Sequence, residues 1–146
     1  MARKLIYAAI SLASALAAPA NAAGLDAGMS KQIDSFFQAL KEGKNESAVN
    51  AILDSSPLWA DKTGAKEQMV AQVNTASKIY GPLASYECPL VYKTGTMLTR
   101  VYCLAQYKLI VTRWQFDFAK LPTGWGIVYF GFNDQANNWP DGKEQE

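Results

Sequence analysis

The chain has 146 residues, of which 49% are apolar and only 18% charged, with 14 lysines and arginines against 13 acids. A formal charge of +1 excludes the basic face of a nucleic-acid binder and the acidity of a disordered tail protein. With no histidine and two cysteines, His-based triads, His-ligated zinc or haem and four-cysteine metal sites are excluded too, and no cofactor is expected.

The first segment reads as a targeting signal. Arg3 and Lys4 precede an apolar run from Leu5 to Ala18, interrupted only by Ser11 and Ser14; Pro19 ends it and Ala20-Asn21-Ala22 follows. A basic start, a short apolar stretch and small residues where a signal peptidase reads predict a secretory signal peptide over 1–22. The run is shorter than the roughly 20 residues that span a bilayer. No cysteine stands at the cut to carry a lipid, so no stable membrane anchor is expected. Losing Arg3 and Lys4 leaves the mature chain near neutral, which gives no steering to nucleic acid or anionic lipid. Such a chain buries a core of its own, and one domain is expected over 23–132, in the periplasm or the medium.

Helices come first. Met29, Ile33, Phe36, Phe37 and Leu40 form one apolar stripe over 29–42, and Gly43 stops it. A second short helix starts with Asn45 as its cap, buries Ala48, Val49, Ile52 and Leu53, and ends at Ser55-Ser56-Pro57. A third runs over 65–80 behind Thr63 as cap, with Met69, Val70, Val73, Ala76 and Tyr80 on one side, and closes at Gly81-Pro82.

Strands follow. Extended runs cover 86–93, 97–107, 109–121 and 125–132, with turns at Thr94-Gly95-Thr96 and Pro122-Thr123-Gly124. The third alternates most cleanly. Ile110, Thr112, Trp114, Phe116 and Phe118 face one way, and Val111, Arg113, Gln115, Asp117 and Ala119 the other, as in an antiparallel strand packed on one side. From 133 to 146 the chain is polar and reads as a flexible tail, with Trp139 as a point that could tack it down.

Cys88 and Cys103 are the only cysteines, and an exported pair forms a disulfide by default. A hairpin turning between Gly95 and Thr96 sets them directly opposite one another, within bridging reach. The same register sets Leu90 opposite Val101 and Tyr92 opposite Thr99. A redox-active pair is the alternative, but the close Cys-x-x-Cys spacing is missing.

Phe36, Phe37 and Leu40 before Gly43, then the stretch from Val73 to Gly81, the gap to Glu87 and the Trp125-Gly126-Ile127 start of the last strand resemble the nuclear transport factor 2-like or cystatin-like superfamily. The resemblance covers most of 29–132 and implies an α+β roll, with helices on a curved four-stranded antiparallel sheet around a cone-shaped cavity. It extends to small secreted bacterial proteins, some of them quorum-sensing-linked, and so implies a secreted virulence-associated factor as one reading. The Gln-x-Val-x-Gly hairpin of the cystatin inhibitors is missing. Its nearest string, Gln72-Val73-Asn74, lies on the third helix, so only the fold and the idea of a pocket carry over.

Relatives that act as isomerases or dehydratases use an acid and a tyrosine in the cone. The corresponding catalytic candidates here are Asp117, Tyr102 and Glu87. Arg113 and Asp117 share a strand face and could form a polar strip, either as solvated surface or in a cavity that positions a ligand carboxylate or hydroxyl. With Trp114 and Trp125 they make the ligand-binding candidates, although most of the aromatics are expected to be core. The primary expectation is a non-enzymatic binding or interaction protein. Its partner would be a small apolar ligand, a protein or peptide, or a second copy in a homodimer; the alternative is a lyase or isomerase.

Overall fold

The computed structural model describes residues 24–136. The signal-peptide reading of 1–22 and the tail from 137 onward, Trp139 included, lie outside the described residues. Helix α1 (Ala27–Lys41) starts where the Asp26 carboxylate accepts the Gly28 N–H, and its stripe of Met29, Ile33, Phe36, Phe37 and Leu40 is buried as the spacing predicts. It ends in a Schellman motif. Gly43, at φ 74°, donates to the Leu40 carbonyl, and Lys44 donates to that of Ala39.

Two predicted caps are corrected. Helix α2 (Asn45–Leu53) begins at Asn45 itself, and no side chain caps it. The Asn45 amide instead reaches Asn74 Oδ1 and Ser77 Oγ on α3, tying the two helices together. Helix α3 (Thr63–Tyr80) likewise contains Thr63 rather than being capped by it. Between them lies a 3₁₀ turn, Pro57–Trp59, that the sequence pattern did not reveal.

Four antiparallel strands form one sheet in chain order: β1 (Leu83–Thr94), β2 (Leu98–Tyr107), β3 (Val111–Leu121) and β4 (Gly124–Asn133). The result is the α+β arrangement expected, with the N-terminal helices on one face of a curved sheet. Alternation in β3 holds: Thr112, Trp114, Phe116 and Phe118 are all buried on the helix side. Phe36 meets Trp114, Phe116 and Phe130 edge-on at centroid distances of 5.2, 5.6 and 5.7 Å. Aromatic side chains therefore fill the middle of the space between α1 and the sheet.

Cys88 and Cys103 are disulfide-bonded and fully buried, with α-carbons 3.9 Å apart. The register beyond them differs from the expectation. Glu87 still pairs with Leu104, but Leu90 pairs with Tyr102, Val91 with Val101 and Tyr92 with Arg100. The shift falls at Cys88–Pro89. Proline has no N–H to give the ladder, so the strand carries an extra residue there as a bulge. The hairpin loop is one residue longer than the cysteine midpoint implied, running through Gly95, Thr96 and Met97, with Gly95 at φ 59°. Because strand side chains alternate, one residue of slip exchanges faces. Leu90 and Tyr92, expected beside the cysteines, stand on the opposite side of the sheet.

Among the described residues no helix covers that outer face. Trp59 Nε1 donates to the Ile127 carbonyl, Ser55 Oγ accepts the Ile127 N–H and Gln32 Nε2 donates to the Trp125 carbonyl, so side chains occupy the free edge of β4. Among the described residues no helix is long and apolar enough to cross a membrane.

Candidate functional site

The uncovered face carries the site. Alternation and pairing place Tyr92 and Thr94 of β1, Leu98, Arg100 and Tyr102 of β2, and Asp117 of β3 on one surface. A second bulge, between Asp117–Tyr129 and Phe118–Ile127, adds Val128 of β4. Each bulge bends the strand it interrupts. The outer face thereby becomes a trough of about 330 Å³, with Tyr92 and Tyr102 on one side and Val128 on the other. That volume falls at the small end of known ligand sites.

Arg100 and Asp117 face each other across β2 and β3. Nε and Nη2 of Arg100 donate to the two Asp117 carboxylate oxygens, each at 2.9 Å, and Gln115 Nε2 lies 3.2 Å from both oxygens. These hydrogen bonds to Asp117, opposed by burial, hold the guanidinium above its ordinary range, and Tyr102 adds to the effect. The expected Arg113–Asp117 strip therefore takes another form. Asp117 is held by Arg100 from the neighbouring strand, while the Arg113 guanidinium lies 5.6 Å from the Tyr102 ring centroid.

Tyr92 meets Tyr102 edge to face at 5.9 Å. Its hydroxyl is buried without a hydrogen-bond partner. Two other buried side-chain oxygens share that condition among the described residues, Gln32 Oε1 and Asn45 Oδ1, but both amides donate through their nitrogens. Among the described residues only the Tyr92 side chain buries its polar group with no bond at all, which is costly unless something satisfies it.

The remaining candidates separate. Tyr102 and Asp117 come together in the trough. Glu87 is exposed on the same face but farther down the sheet, opposite Leu104. Trp114 is fully buried on the helix side, stacked on Phe132 at 4.5 Å, with its indole N–H given to Thr112. Trp125 is half-buried at the turn end of the sheet, near Met29, Lys93 and Thr96.

Tyr92, Leu98 and Val128 were not singled out from the sequence. The signal available for Tyr92 was Pro89, since proline inside a strand marks a bulge or an edge. Asp34 was missed as well. It accepts the Tyr86 hydroxyl at 2.6 Å where α1 meets β1, and Tyr86 stacks on Phe37 at 4.3 Å. Burial, then the bond to Asp34 and its charge, push the Tyr86 phenol well above its usual range. Among the described residues no group of three or more cysteines and acids could hold a metal ion.

No protein-family model matches the chain, and no curated protein and no solved structure matches it.

Proposed function

We propose that this is an exported, non-enzymatic binding protein of the nuclear transport factor 2-like or cystatin-like roll type, which seats its ligand on the outer face of its sheet. The observation that carries the reading is the state of the trough. Beside the Arg100–Asp117 pair it is lined by tyrosine, threonine, Phe118 and aliphatic residues, and both oxygens of its one acid are already engaged by Arg100 and Gln115. A carboxylate so held orients and neutralises an arginine; general acid–base work needs an oxygen within reach of substrate.

The order of three helices followed by a four-stranded sheet supports the superfamily. The 1–22 pattern and the buried disulfide support export, since such bonds persist in oxidising compartments. Expression from the native N-terminus tests this part. Protein outside the cytoplasm, starting at Ala23 and without free thiols, is the expected product; full-length reduced protein inside overturns it. For binding, amide chemical shifts recorded against pooled small metabolites should move around Tyr92, Leu98 and Val128. Shifts confined to the helices overturn the location.

One observation favours a second reading, a lyase or isomerase using an acid and a tyrosine: the Asp34–Tyr86 pair. Turnover of any of the pooled compounds, lost in both Asp34→Asn and Tyr86→Phe variants that remain folded, selects it over the first.

A further inference from the structure

The trough also selects a chemistry. The inference rests on the outer-face reading and names the ligand class. Its charged lining consists of one arginine and one aspartate, paired with each other, so the walls present no net charge to a ligand. The planar guanidinium–carboxylate pair and the crossed rings of Tyr92 and Tyr102 are flat surfaces, and Leu98 and Val128 are apolar. Surfaces of this kind take an aromatic or alicyclic ring.

Polar selection falls to the donors. Two N–H groups of Arg100 go to Asp117, and a guanidinium has five. The Tyr92 hydroxyl is covered and makes no bond, a cost that a turn about its Cα–Cβ bond toward a ligand's acceptor would relieve. An anion is disfavoured, because the Arg100 charge is already neutralised by Asp117.

We propose that the trough binds an uncharged ring compound bearing an acceptor oxygen, a ketone, aldehyde or hydroxyl, which the Tyr92 hydroxyl reads.

The test uses three probes on the disulfide-intact protein, followed by amide chemical shifts: acetophenone, ethylbenzene as the same ring without oxygen, and benzoate as the anion. Acetophenone should bind most tightly and move signals around Tyr92, Leu98 and Val128. Tyr92→Phe should weaken acetophenone about tenfold and leave ethylbenzene unchanged, the loss of one neutral hydrogen bond. Val128→Phe, which narrows the trough and spares the hydroxyl, should weaken both. Equal binding of acetophenone and ethylbenzene on the outer face, unaffected by Tyr92→Phe, overturns the ligand class while the binding face stands. Tighter binding of benzoate overturns it likewise. If none of the three probes moves an outer-face signal, the ligand class and the binding face both fall.

Discussion

Tyr92 and Thr112 are two residues whose polar groups act on stability with opposite sign. Removing the unpartnered Tyr92 hydroxyl with Tyr92→Phe deletes a desolvated group and no bond, so the variant should be more stable by about 1 kcal/mol in urea unfolding. Thr112 Oγ1 accepts the Trp114 indole N–H at 2.9 Å within the core. Thr112→Val keeps the shape and strands that N–H, which should cost about 1–3 kcal/mol in the same assay. Tyr107 adds a pH dependence. Burial, and then the charge of Tyr80, push its phenol up to about 12. Its folded value is raised, so the stability it lends is complete below the unfolded value near 10. That stability fades as the pH climbs from about 10 to 12, by about 3 kcal/mol in all. Unfolding free energies measured across that range should fall less steeply in Tyr107→Phe. The alternation of β3 foretold that Thr112 lies inside and Asp117 outside. Asp117's partner was hidden because it sits on another strand, and single-strand spacing holds no cross-strand register.

The elements repeat that lesson. Helices α1 and α3 and all four strands could be read from periodicity, because each has one apolar face and all but β2 have a glycine or proline at an end. The face reached by Leu90 and Tyr92 could not, since symmetry about the cysteines assumes an unbroken ladder and Pro89 breaks it. The 3₁₀ turn at Pro57–Trp59 carries local cues, Pro57 at its first position and Ser56 Oγ accepting the Leu58 N–H, but its docking onto β4 rests on partners distant in sequence. Gly126 records how tightly that turn docks. A Cβ there would meet Leu121 Cδ1 at 2.9 Å, Ser56 Cβ at 3.0 Å and the Ser55 carbonyl oxygen at 3.1 Å. The leucine tip can move aside, but the Ser55 backbone moves only if the whole turn lifts from β4. Gly126→Ala should therefore destabilise by about 1–3 kcal/mol. Faster amide exchange at Ile127, whose N–H bonds Ser55 Oγ, would separate this mechanism from general loosening.

At the scale of the molecule, two devices hold different things together. The disulfide joins β1 to β2, neighbours that already share a ladder, whereas Phe36 and Phe37 join the helical layer to the sheet. Losing the bridge acts mainly on the unfolded chain. Its cysteines are 15 positions apart, and a loop of that size contributes about 3 kcal/mol in the entropy model. The Cys88→Ala/Cys103→Ala double variant should unfold at lower urea by that amount, yet keep native near-ultraviolet circular dichroism, because the aromatic layer remains packed. Phe36→Ala should cost about as much, roughly 3–5 kcal/mol. Its signature differs: it opens a cavity between the layers, so the aromatic dichroism weakens even where the protein is still folded. A double cysteine variant that loses its aromatic signal in native buffer, beside a Phe36→Ala variant that keeps it, would reverse the assignment and make the bridge the tie between the layers.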